Sequence, residues 1–116
     1  MSSEILAHLS AFNDPREGVR LFAARKLGAH GPAVAPLLID LLQEKGGFTQ
    51  DCAAVALQAM GPAAIPFLVE ALQYSSRTIR WNAAAILSNM GEDARKAMDE
   101  APVEAAFATH SSAVAF

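Results

Sequence analysis

The sequence holds a single cysteine, Cys52, so no disulfide can form within the chain. That usage fits a reducing compartment. Aromatic residues supply only 7% of the 116 positions. The alternation of Val, Ile, Thr and aromatics that marks strands is missing. Uninterrupted apolar runs fall short of the roughly 20 residues a bilayer-crossing helix needs. The opening "MSSEILAHLS" lacks a basic segment followed by a long apolar one, as a secretory signal would have. The expectations are therefore a cytoplasmic location and no membrane partner. Positive charge is also scarce: nine Lys and Arg stand against twelve Asp and Glu, a net charge of −3. A phosphate backbone is a poor match for such a chain, so no nucleic-acid partner is expected.

What is present is apolar and helix-forming. Apolar residues make up 53% of the chain. Because so few are aromatic, much of that share is alanine, the strongest intrinsic helix former. The length is that of one domain.

The sequence also repeats itself. "GPAVAPLLIDLLQ" begins at Gly31 and "GPAAIPFLVEALQ" at Gly61. With a period of thirty residues, Val19, Thr49 and Ile79 share a column. So do Ala23, Ala53 and Ala83, then Ala24, Ala54 and Ala84, then Leu27, Leu57 and Leu87. Gly31, Gly61 and Gly91 align without a gap, and Pro32, Pro36, Leu38 and Leu42 recur as Pro62, Pro66, Leu68 and Leu72. A register kept through three units marks a stacked array, in which each unit buries its apolar face on the next.

Each unit divides into two helical halves. Val19, Ala23 and Leu27 follow the i, i+4, i+8 spacing of an amphipathic helix. The paired alanines leave room for a neighbouring helix to approach. Gly31 and Gly61 are placed to end that first helix with a left-handed residue. Pro32 and Pro62 then suit the start of the second. Pro36 and Pro66 lie too deep for a helix starting at Pro32 or Pro62. Either the segment kinks there or 32–35 forms a separate short turn.

The expected architecture is an all-α, short right-handed α-solenoid of about three two-helix repeats with terminal capping helices. Residues 1–14 form an N-terminal half unit, followed by repeats over 15–45, 46–75 and 76–101 and a C-terminal cap helix over 102–116. In the third repeat Glu92, Lys96, Asp99 and Pro102 replace the expected pattern. Units of the form V/I-R-x-x-A-A-x-x-L-x-x-x-G-P-x-x-x-P-x-L-x-x-x-L resemble HEAT-like repeats of the phycobilisome-lyase type. The resemblance covers residues 19–101, with 3–14 as a half unit. Arg20 and Arg80 fit the family's arginine column, and Gln50 departs from it. The resemblance implies the stacked fold. It implies less about activity, since the family includes chromophore lyase subunits alongside many binding scaffolds.

No catalytic constellation is expected. His8, His30 and His110 are scattered, with none read at metal-ligand spacing to a second His, Cys or acid, and no His-Glu dipeptide occurs. No metal, cofactor-binding or catalytic residue is therefore assigned. Cys52 has only Asp51 as a charged neighbour in sequence, the wrong sign to activate a thiol. Arg20 is expected to pair with Asp14 or Glu17 in the loop before it. The basic set Arg16, Arg20, Arg25 and Lys26 lacks the interleaved aromatics of a nucleic-acid surface. Trp81 either anchors a partner or covers the seam between units.

Asp40, Glu70 and Glu100 occupy one column of the second helices, between apolar positions, and are expected to face solvent. The resemblance implies that second helices line the concave face. The three carboxylates would then form a ladder with about 8–10 Å between neighbours, flanked by Gln43 and Gln73. Like charges about 10 Å apart in water repel by only about 0.4 kcal/mol, so such a ladder can persist with or without a purpose. The functional expectation is a non-catalytic protein–protein interaction scaffold. Its site is Asp40, Glu70, Glu100, Gln43 and Gln73, with Trp81 as a secondary contact, and its partner is a basic protein segment. The alternative, implied by the resemblance alone, is a subunit of a bilin chromophore lyase or isomerase. The expected state is a monomer or a weak homodimer through the C-terminal segment.

Overall fold

Pro36 has no N–H to donate, and its ring would collide with the carbonyl four residues back in a continuous α-helix. The computed structural model, which describes residues 2–100, shows how the chain accommodates this. Residues Gly31–Val34 form one 3-10 turn, and an α-helix starts at Ala35 with Pro36 in its first turn. The same split recurs at Gly61–Ala64 and Ile65. Of the two expected arrangements, the separate short turn is the one observed. In the third repeat Lys96 stands where the second proline would be, and a single helix runs from Glu92 directly after Gly91. With an N–H restored at that position, nothing divides the segment.

The helices in chain order are α1 (Ser3–Ser10), α2 (Glu17–Gly28), α3 (Ala35–Leu41), α4 (Thr49–Met60), α5 (Ile65–Ala71), α6 (Arg77–Asn89) and α7 (Glu92–Glu100). No strand occurs among the described residues. Two starts are capped by serine: the Ser2 hydroxyl accepts from the Ile5 N–H and the Ser76 hydroxyl from the Ile79 N–H, each at 3.2 Å. Such caps satisfy donors that the first helical turn leaves free. Gly61 has φ 76° and ψ −150°. This is not the left-handed helical conformation expected of it, but an extended region open essentially to glycine alone. Gly31 and Gly91 also have positive φ, 82° and 85°.

The helices stack in two layers. In one, α2 packs on α4 and α4 on α6; in the other, α3 packs on α5 and α5 on α7. The layers are joined where α3 meets α4 and α5 meets α6. Ala23, Leu27, Ala53, Leu57, Ala83, Leu87, Leu38 and Leu68 are all buried, so the repeated columns form one continuous core. Phe12 is buried in the same core ahead of α2. The extents of 43 × 28 × 24 Å and the radius of gyration of 14.6 Å describe an elongated body; a compact domain of 100 residues has a radius near 13 Å. The chain is thus a short all-α solenoid. The helix expected over 102–116, and the homodimer contact assigned to it, lie outside the described residues.

The stacking is uneven. Gly28 lies against α4, where a Cβ would collide with the Ala56 carbonyl oxygen and come within 3.2 Å of the Ala59 Cβ and the Met60 nitrogen. Thirty residues on, Gln58 replaces Gly28. There α4 and α6 stand further apart, leaving a cleft of about 210 Å³ lined by Gln58, Asn89 and Asp93 among others. The stretch Thr49–Ala71 has the length and hydropathy of a membrane-crossing helix. The backbone leaves helical geometry at Gly61, however, and the residues on either side (Ala56, Leu57, Ala64, Ile65) are buried in the core.

Candidate functional site

The second helices carry the acidic column. Asp40 on α3, Glu70 on α5 and Glu100 at the end of α7 are all exposed, as are Gln43 and Gln73 just beyond α3 and α5. None of the three acids has a cation within ion-pair distance among the described residues. Tyr74 lies half-buried in the turn that follows α5. Its hydroxyl pKa is raised first by burial, then by the carboxylates of Glu70 and Asp40. Two acids from adjacent helices therefore act on one phenol. Tyr74 is a member of this surface that sequence reasoning passed over, because its column holds Glu44 in the first repeat. Asp40 and Glu70, on the packed helices α3 and α5, are thus both near Tyr74.

Trp81 stands on the first-helix layer, 71% exposed. It lines a shallow groove of about 330 Å³ with Lys45, Gln50, Arg77, Thr78 and Asn82. At that exposure the ring fills no buried seam among the described residues. Phe22 and Phe48 are also exposed on the first-helix layer and its preceding loop, and both carry a cation: Lys26 Nζ lies 5.4 Å from the Phe22 ring centre and Arg20 Cζ 3.6 Å from that of Phe48.

The arginine column has a structural role, but with a partner different from the one expected. Arg20 donates from Nη1 to the backbone carbonyl of Asp14 at 2.8 Å, not to a carboxylate. The Asp14 carboxylate is taken by Arg16, through Nε and Nη2 at 3.0 Å each and the backbone N–H at 2.8 Å. Those bonds hold the Asp14 carboxyl at about 2, below its ordinary 3.8. Arg80 donates to the carbonyls of Tyr74 and Ser75 at 2.7 and 2.9 Å. Gln50 departs from arginine yet does the same work, donating to the Leu42 carbonyl at 2.8 Å. Each repeat thus uses a long side chain on its first helix to close the carbonyls left over in the preceding loop.

Cys52 is buried on α4. Burial pushes its thiol pKa up, with nearby Arg20 opposing the shift and Asp51 adding to it. A thiol held protonated is a poor nucleophile.

Histidine spacing gave a misleading picture. Glu4 and His8 are one helical turn apart on α1, an i, i+4 pair that the sequence reading overlooked, and the fold adds His30 from just beyond α2. The Glu4 Oε1 lies 3.9 Å from His8 Nε2 and 3.8 Å from His30 Nε2. The two imidazole rings are 6.2 Å apart, tilted by 59°. His110 lies outside the described residues.

Comparison with known proteins agrees with the architecture. No curated protein matches the chain. The family model for HEAT repeats matches residues 5–73, which spans α1 to the end of α5 and covers more than half of the sequence. Together with the two-layer stack, that match shows that the chain belongs to the HEAT-repeat family.

Proposed function

We propose that the protein is a non-catalytic interaction module whose second-helix face binds a basic segment of a partner protein. HEAT repeats commonly serve as protein-interaction scaffolds. The observation that carries the finer reading is the exposure of Asp40 and Glu70 on the packed helices α3 and α5, with no cation within ion-pair distance among the described residues. Two exposed carboxylates on the packed helices α3 and α5, unpaired among the described residues, lie near the Tyr74 ring. A lysine or arginine side chain laid across α3 and α5 would meet both charges and stack its stem on the phenol. Gln43 and Gln73 flank the site with amide groups able to bond a partner's backbone. Glu100 extends the negative potential toward α7 rather than sharing the central contact. A solenoid built from repeated units offers such a strip because each repeat places one acid in the same column.

The bilin-lyase reading rests on the sequence resemblance alone. The described site supplies acids and amides, with no cluster of nucleophile and base.

Fluorescence anisotropy of labelled Lys- and Arg-rich helical peptides tests the proposal. The wild type is expected to bind in a salt-sensitive manner, and Asp40→Lys with Glu70→Lys to weaken binding by about tenfold or more. Equal affinity in the charge-reversed protein contradicts the assignment of the face.

A further inference from the structure

At the opposite end of the array from the third repeat, Glu4, His8 and His30 bring one carboxylate and two imidazoles together. Each offers a ligand atom, and these atoms all lie within 4.8 Å of one another. We propose that this cluster binds a divalent transition-metal ion, with zinc as the best-suited cation, and that the ion fastens α1 to the end of α2.

The donor set points to that class. Neutral imidazole and carboxylate are ligands that zinc, nickel and copper accept, whereas calcium and magnesium favour sites built of oxygen. Two histidines and one glutamate also form a known three-ligand zinc set, with the fourth tetrahedral position open to water or to another ligand. The geometry is close to what coordination requires. Zinc–nitrogen bonds of about 2.0–2.1 Å place tetrahedral ligands about 3.3 Å apart, and the two Glu4–His separations are 3.9 and 3.8 Å. Side-chain rotation must close these gaps and that between the two histidine ligand atoms, which lie within 4.8 Å. The Glu4 side chain is 69% exposed and the His30 side chain 27%, so both can adjust, while His8 at 18% is held more firmly.

A second observation favours a ligand. The Nε2 atom of His8 is buried and has no hydrogen-bond partner among the described residues. Leaving such a polar atom unpaired is unfavourable, and native proteins seldom do so without a reason. A metal ion among the three side chains supplies the missing partner. It also explains why a short first helix with no fully buried residue carries two metal-binding groups on one face. Without a metal, Glu4 can still form an ion pair with a protonated histidine or accept a hydrogen bond from a neutral imidazole N–H.

The test uses the full-length chain without a histidine tag, stripped with chelator. Titration with zinc, followed by calorimetry, is expected to show one ion per chain at micromolar affinity and a rise in melting temperature of several degrees. Cobalt(II) should give tetrahedral d–d bands without a thiolate charge-transfer band, which separates the site from Cys52. Glu4→Gln and His30→Gln alter exposed groups, so their metal-free melting curves should match the wild type while each weakens binding by about tenfold. In the wild type, NMR signals of the His8 and His30 rings should shift on adding zinc, with His110→Gln leaving both affinity and shifts intact. Absence of cobalt or zinc binding overturns the proposal. So does unchanged affinity in both variants, or ring shifts confined to His110.

Discussion

Replacing Gly28 by alanine tests the stacking of the first helices. In an exposed helix this change favours folding, by about 1 kcal/mol. Here the new Cβ would collide with the Ala56 carbonyl oxygen and press on the Ala59 Cβ and Met60 nitrogen, both at 3.2 Å. The obstacle is largely backbone, so no side-chain rotation relieves it. Helix α4 must move as a body, and that shift disturbs the buried contacts of Ala53, Ala56 and Leu57. Overpacking of this kind destabilises by about 1–3 kcal/mol, and a backbone obstacle places it at the upper end. After the gain in helix propensity, a net loss of about 2 kcal/mol remains, equivalent to roughly a 10 °C fall in melting temperature for a domain this size. Gly18, in the same helix, has nothing within 4 Å of the equivalent position. Gly18→Ala should therefore be neutral or stabilising by about 0.5 kcal/mol. Thermal and urea unfolding followed by circular dichroism read both variants. A Gly28→Ala protein that melts at or above the wild-type temperature would refute the close α2–α4 contact.

Other perturbations follow from the same geometry. Arg80→Met removes two bonds to the carbonyls of Tyr74 and Ser75, and should destabilise by about 1–3 kcal/mol in urea unfolding. Gln50→Leu loses a single neutral bond to the Leu42 carbonyl and should lower stability by about 1 kcal/mol in the same assay. Leu57→Ala empties a site with no solvent exposure between two repeats, at about 2–5 kcal/mol. The Asp14 carboxyl titrates at about 2 in the fold against an ordinary 3.8. Its contribution is therefore present above about pH 4 and lost as pH falls through about 2. Asp14→Asn should flatten the acid limb of the stability curve, and carbon-detected NMR should place the wild-type midpoint near the lower value. Cys52 should react with a disulfide reagent far more slowly in the native protein than in denaturant, since burial raises its pKa.

The period and the core were legible because every unit repeats the same demand. Ala23, Ala53 and Ala83 had to be small and buried, and one sequence displays that requirement three times. The prolines narrowed the second half to two arrangements, and the missing N–H of Pro36 decides between them once the turn is seen. Lys96, read as decay of the pattern, instead lets α7 run unbroken. Other features have no sequence signature. Gly28 is followed by Ala29 and lies near Gly31, so nothing singles it out until α4 is laid against it. The partners of Arg20 and Arg80 are backbone carbonyls, which every residue possesses. The Glu4–His8–His30 cluster joins the N-terminal half unit to the first repeat, and only the fold closes that distance. Exposed columns are the least legible, since a solvated acid carries almost no energetic penalty whether or not it binds anything.

The most direct measurement is NMR mapping of the isotope-labelled protein with an arginine-rich helical peptide. The account predicts shifts concentrated at Asp40, Gln43, Glu70, Gln73 and Tyr74, diminished by Asp40→Lys and Glu70→Lys. Shifts confined to the groove around Trp81, or none at saturating peptide, would contradict it.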